Sequence, residues 1–375
     1  MRTPLPSTRD AALLATLLMA LGLTPFAYGE EKAPPDWKAS ATTQRFPGGA
    51  FVVPNWRFAS GPHVRNAFRD VVAEARPATV RVQSDDRDVA LGGIVGTEGW
   101  ILTKASGVQG QLVCVLADGR EFEARLVDAN RDYNLALLKI DAEQLPTLTI
   151  TDATAPQVGS WIATVGLEPE PLGVGVVSAR PRQIPHQAGI LGVQLDEVVD
   201  RPVIVRVFPD TPAARAGLLV NDRIVSIEGQ PTPDREALIR AVRRFNPGDR
   251  VEVEVKRGEE TLRLLAILSG NVPGRQPNRN DFQNQLGGRL SERRFGFPDA
   301  IQHDTVLRPE DCGGPIVNLA GEVVGFNVAR SGRTETYAIA SASLSKLIAE
   351  LMPGDSPPQA TPTATGEPSE PVGSP

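Results

Sequence analysis

The chain has 375 residues, a net charge of −6, and a composition that is 41% hydrophobic but only 5% aromatic. That length accommodates two or three domains with real cores, and the acidic balance argues against a nucleic-acid partner. Cys114 and Cys312 are the only cysteines, too few for a disulfide scaffold, and no metal or other cofactor is expected.

Arg2 and Arg9, the apolar run Ala11 to Leu23 and the small residues around Ala27-Tyr28-Gly29 form a signal-peptide pattern over 1–29. A signal anchor is the alternative, but the apolar run is short for a membrane span. The expectation is therefore an exported protein, periplasmic or secreted, soluble after cleavage. Residues 30–63 are rich in Pro, Gly, Ala and Ser, with Trp37, Phe46, Phe51, Trp56 and Phe58 scattered among them, and read as a linker. Val64 to Ala75 has helical spacing. From Ala78 onward, short alternating runs such as Thr79 to Val82, Trp100 to Thr103, Leu112 to Leu116 and Leu135 to Ile140 are separated by turn signals at Glu98-Gly99 and Asp118-Gly119. Many short strands at regular spacing predict a barrel or sandwich.

A different unit begins at Ile190-Leu191-Gly192-Val193. It continues through Val203 to Val207, a turn at Pro209 to Pro212, and a helix from about Asp234, a plausible N-cap, to Arg244. Strands Val251 to Lys256 and Thr261 to Leu268 complete it. Residues 271–294 are polar, and their basic cluster Arg289, Arg293 and Arg294 reads as part of a solvated linker. Strand-like spacing resumes at Ala300-Ile301-Gln302 and ends in a helix, Ser343 to Leu351. The Pro, Thr, Ser and Gly tail 353–375 cannot bury a core and is expected to be disordered.

Asp311-Cys312-Gly313-Gly314-Pro315 resembles the nucleophile loop of trypsin-like serine proteases, a tight turn with backbone N–H groups aimed at an oxyanion. Residues 187–270 resemble a bacterial PDZ domain. With Gly99 to Thr103, Asp118 to Ala124, Asn134 to Ile140 and Gly173 to Ala179, residues 64–352 resemble the HtrA/Deg family of envelope proteases. The resemblance implies a mostly β fold: a trypsin-like double β-barrel from 64–182 and 295–352, with an inserted PDZ domain (α+β) at 187–270. It also implies that Cys114 and Cys312 do not pair.

The chemistry departs from the family. Where the family has its catalytic histidine, this chain has Ser106; where it has the orienting aspartate, it has Asn134; the nucleophile is Cys312. Glu310 replaces an oxyanion-loop glycine beside Asp311 and Gly313, and the two acids are expected to raise the Cys312 pKa. His63, His186 and His303 are not positioned by the resemblance to act as base. No catalytic residue is expected. In the PDZ unit, Ile190, Leu191, Gly192 and Val193 fit the carboxylate-binding loop, and the groove is expected between the strand through Leu195 and a helix face at Ala237, Leu238 and Ala241. The reading is a pseudoprotease that binds C-terminal peptides or unfolded polypeptides. A working serine or cysteine endopeptidase in protein quality control, and a non-catalytic subunit of a homo-oligomer or of an assembly with an active homologue, stay open.

Overall fold

The computed structural model describes residues 61–352 apart from 151–154 and most of 272–287. The signal peptide, nearly all of the first linker and the tail expected from the sequence lie outside the described residues. No described helix is long and apolar enough to cross a membrane.

The segment expected as one helix is two: α1 (Pro62–Ala67) and α2 (Arg69–Val72), broken at Phe68. The break lets the Phe68 ring meet Trp161, with centroids 6.0 Å apart, while Val72 enters the core. The alternating runs that follow become β1 (Thr79–Ser84), β2 (Arg87–Gly96), β3 (Trp100–Lys104), β4 (Leu112–Leu116), β5 (Glu121–Asn130) and β6 (Leu135–Ile140). They close as an antiparallel barrel in the order β1-β2-β3-β6-β5-β4. β6 is buried along most of its length instead of alternating. Its inner face fills the barrel and the helix after the second barrel covers it.

β7 (Trp161–Thr164) and β8 (Gly173–Arg182) begin a second barrel, and the chain then leaves it. It builds β9 (Val193–Leu195), β10 (Ile204–Val207), α3 (Pro212–Arg215), β11 (Arg223–Ile227), β12 (Gln230–Pro231), α4 (Arg235–Arg243), β13 (Arg250–Arg257) and β14 (Glu260–Ile267). Asp234 caps α4 by accepting from Ala237 N at 2.6 Å, satisfying a donor the helix cannot. This unit has its own apolar core, including Ile204, Leu218, Ile224, Leu238, Val251, Val253 and Val255. Its ends are clasped where Ile190 and Ser269 bond each other through both main chains, at 2.8 and 3.0 Å.

The chain then returns as β15 (Ala300–His303), β16 (Pro315–Val317), β17 (Val323–Arg330), β18 (Thr336–Ala340) and α5 (Ser341–Leu351). The second barrel closes in the order β15-β18-β17-β16-β7-β8, so strands from before and after the intervening unit pair directly. The fold is mostly β, two six-stranded barrels with a PDZ-type unit. The barrels share one core in which Ile94, Leu138, Phe326, Val328 and Leu344 belong to a single cluster. Phe326 sits against Gly93, where any side chain would run into Phe326 and Leu148.

Phe326→Ala removes a fully buried ring from this shared core. It should destabilise the barrels by about 3–5 kcal/mol, the usual cost of such a cavity, read from their urea unfolding transition.

Candidate functional site

β3 ends at Lys104, and the turn beyond it carries Ser106. The β5–β6 turn delivers Asn134 in the left-handed region, at φ 55°, a conformation asparagine tolerates. The two are locked together. Ala105 N donates to Asn134 O at 2.9 Å and Ser106 N to Asn134 Oδ1 at 2.8 Å. Asn134 Nδ2 donates to Ser106 Oγ at 3.0 Å and, more weakly, to Val328 O at 3.4 Å. A hydroxyl and an amide meet here, and neither takes a proton near neutral pH.

Cys312 lies on the facing loop. Pro309–Asp311 form a short 3-10 turn. The Asp311 carboxylate accepts from Arg308 Nε at 2.8 Å, Arg308 Nη2 at 3.0 Å and Arg81 Nη1 at 3.3 Å. Burial alone would raise its pKa, but the two guanidinium groups together hold it below the usual carboxylate value. Gly313, at φ 109°, threads beside Leu91 O and Thr103, and donates to Asn327 O at 2.6 Å. Leu91 N in turn donates to Cys312 O at 3.0 Å, so the loop is wedged between β2 and β17.

Two features bear on chemistry. The Cys312 N–H donates to Pro309 O at 3.3 Å, so it is not free to meet an oxyanion. The same carbonyl accepts from the buried Lys104 Nζ at 2.7 Å. Burial depresses the Lys104 pKa, with the neighbouring Cys312, Glu310 and Asp311 opposing it. The Cys312 thiol is fully buried and donates to Arg308 O at 3.7 Å. Its pKa is pushed up to about 11, chiefly by burial; Asp311 adds to the rise and Lys104 opposes it. The acidic neighbour Asp311 is thus a secondary cause, and Glu310 pairs with Arg289 at 3.1 Å. Cys114 is buried in the first barrel, raised to about 12 by burial, and both cysteines are free.

Ser106 and Asn134 are therefore brought together, while Cys312 has no hydrogen bond to either among the described residues. His303 on β15 faces Asn327 instead, Nε2 to Oδ1 at 2.8 Å. Asn327 Nδ2 donates to Thr164 Oγ1 at 3.3 Å, which fixes the amide and puts the histidine proton on Nε2. His186 Nε2 contacts Arg243 O at 2.8 Å. No group of His, Cys, Asp and Glu able to hold a metal occurs among the described residues.

Of the basic cluster expected in a solvated linker, Arg289 is exposed and Arg294 half-buried, but Arg293 is packed. Arg293 is 2% exposed, and its Nε lies 2.8 Å from Asp249 Oδ1, off the N–H direction, as an ion contact instead of a directed hydrogen bond. The apolar context of Leu290, Phe295 and Phe297 was the available signal. Lys104 carried another, a cation ending an apolar strand. Nothing in the sequence marked Arg330, whose buried guanidinium donates to Leu307 O at 2.9 Å, Gly332 O at 3.3 Å and Arg333 O at 3.4 Å.

In the PDZ-type unit, Gly192 sits at φ 87° against Thr211, where a side chain would collide. The N–H groups of Leu191 and Gly192 have no acceptor among the described residues, while Ile190 N is taken by Ser269. Among the described residues β9 pairs with β10 and with no strand on its other edge. Leu191, Leu238 and Ala241 are buried in the unit's core, with Val193 and Leu195 packed against it; Ala237 is half-buried.

Two closed barrels with a PDZ unit interposed define a trypsin-like peptidase fold carrying a PDZ domain. Residues 90–191 match the trypsin-like peptidase domain and residues 189–268 the PDZ domain. A protein of Halomonas elongata named "Probable periplasmic serine endoprotease DegP-like" is 27% identical over 316 residues, covering 59% of this chain and 64% of that protein. Another of that name from Pseudomonas fulva is 23% identical over 323 residues, covering 63% and 67%. One from Hahella chejuensis is 30% identical over 132 residues, covering 33% and 28%. The chain spans less than two-thirds of the Halomonas protein it matches. The chain is similar to these DegP-like proteins of the HtrA/Deg type.

His303 makes a checkable pH dependence. Burial lowers its pKa from 6.5 to about 4, with the Asn327 bond opposing. The unfolded chain thus binds a proton the folded barrel refuses, and stability falls as pH drops from about 6.5 towards 4. The loss should reach about 3 kcal/mol, from roughly 1.4 kcal/mol per unit. Thermal midpoints from pH 7 to 4.5 should show that slope, and His303→Gln should flatten it.

Proposed function

We propose that this chain is an exported HtrA/Deg-type protein that binds polypeptides through its PDZ unit and whose barrels do not hydrolyse them. The observation that carries this reading is the Ser106–Asn134 pair, which offers no proton acceptor to the residue at the nucleophile position. General-base catalysis needs a group whose pKa lies near the working pH, and an acyl transfer needs free oxyanion donors. The buried, high-pKa Cys312 thiol and its occupied N–H support the same conclusion. A full triad acts as a unit, so replacement at every position leaves little residual rate.

On the binding side, the free Leu191 and Gly192 N–H groups form a nest suited to a terminal carboxylate. The open edge of β9 suits an added peptide strand. We take residues 187–270 as the inserted PDZ domain and Ile190, Leu191, Gly192, Val193, Leu195, Ala237, Leu238 and Ala241 as its peptide site. Location in the periplasm accords with the names of the relatives.

A second reading, a working periplasmic serine-type endopeptidase, is favoured by those names. The purified protein should leave unfolded casein uncut and should not react with fluorophosphonate probes; activity lost in Cys312→Ala would establish the second reading instead. Fluorescent peptides with free apolar C-termini should bind the full chain. Amidating the terminus should weaken binding at least about tenfold, the loss expected when a buried charged hydrogen-bond partner is removed. Equal binding of amidated peptides would remove the carboxylate nest from the account.

A further inference from the structure

β17 leaves one edge without a strand. Its pairing with β16 ends at Phe326, opposite Pro315, and its pairing with β18 occupies the other side out to Arg330. Asn327 exchanges bonds with the nucleophile loop through Gly313 N and Gly314 O. Beyond that point the edge at Arg330 is free of the barrel, and Cys312 lies beside it. A free strand edge next to a nucleophile loop is a place where an extended peptide can lie down.

That place is taken. Ser291 N donates to Arg330 O at 2.9 Å, and Arg330 N donates to Ser291 Oγ at 2.9 Å. The bonds flank the Cys312 thiol, which is in reach of both the Ser291 hydroxyl and the Arg330 N–H. The segment is fastened on either side of Ser291. Arg289 meets Glu310 of the nucleophile loop at 3.1 Å. Arg293 contacts Asp249 at 2.8 Å, donates weakly to Arg131 O at 3.3 Å and Asp132 O at 3.4 Å, and lies over the Phe297 ring at 4.9 Å. Gly248 is at φ 85° with no room for a side chain, because the main chain of Arg293 occupies that space.

We propose that residues 289–294 are a built-in occupant of the strand-accepting edge beside Cys312, closing the barrel cleft to extended peptides from outside. The proposal concerns access and holds whether or not the triad positions retain chemistry, so its test is separate from any hydrolysis assay. The occupant is supplied by the same chain, directly after the PDZ unit, and is held from three directions: the PDZ turn, the first barrel and the nucleophile loop.

The test uses the full-length protein and the alkylation rate of each cysteine by a maleimide at pH 7, resolved by peptide mass spectrometry. Cys114, in the core of the first barrel, reports global opening; Cys312 reports the cleft. Two variants loosen the segment at different points: Arg293→Ala removes its clamp, and Ser291→Pro removes both bonds to Arg330. In each, Cys312 should label at least about tenfold faster than in the wild type with Cys114 unchanged, the signature of local opening. Hydrogen exchange at Ser291 should accelerate in parallel in Arg293→Ala. Rapid wild-type labelling of Cys312, or no acceleration in either variant, would overturn the proposal. So would equal acceleration of Cys312 and Cys114 in both variants, because the segment would then be ordinary core and not a separable cover.

Discussion

The buried contact between Arg293 and Asp249 ties the parts of this molecule to one another. Burial weakens both charges, raising the Asp249 pKa and lowering that of Arg293, and each group opposes the shift of the other. Two charges taken from water hold together only if each finds compensation, and deleting one leaves the other stranded. Here the extra acceptors are the carbonyls of Arg131 and Asp132, from the first barrel. Asp249 belongs to the turn after α4, so the contact fixes where the PDZ unit sits on the barrels. The Arg131–Glu228 pair at 3.1 Å and the Arg131 guanidinium over Phe245 at 5.2 Å lie along the same face.

The nucleophile loop is held by packing that needs no reaction to sustain it. Gly313 and Gly314 pack against Leu91 and Thr103 so closely that side chains there would strike the first barrel. Asp311 serves Arg308 and Arg81. These contacts support packing of the two barrels and require no reaction.

The sequence made the frame legible because period-two alternation and turn glycines are local signals. Asp234 announced its helix for the same reason, since capping is decided within one turn. The second barrel was harder: the family match ends at residue 191, and β15 to β18 find β7 and β8 only across the intervening unit. Arg293 misled because a run rich in Arg, Gly and Asn has the composition of a solvated spacer. Its burial comes from partners distant in sequence, Asp249 and the 131–132 carbonyls, that no window of neighbours contains. Arg330 gave no warning, since its three acceptors are carbonyls, which every residue carries.

The clasp between Ile190 and Ser269 has a kinetic meaning. Synthesis runs from the N-terminus, so β7 and β8 exist long before β15 to β18, with open hydrogen-bonding edges that invite pairing with other chains. Left as a flexible excursion, the intervening residues would make closure of the second barrel slow and entropically costly. Once the PDZ unit folds around its own core, its entry and exit are adjacent, and the effective loop shrinks to the segments flanking it, 183–189 and 270–299. The insertion thereby acts as a folding aid, shortening the interval in which half a barrel waits for its other half.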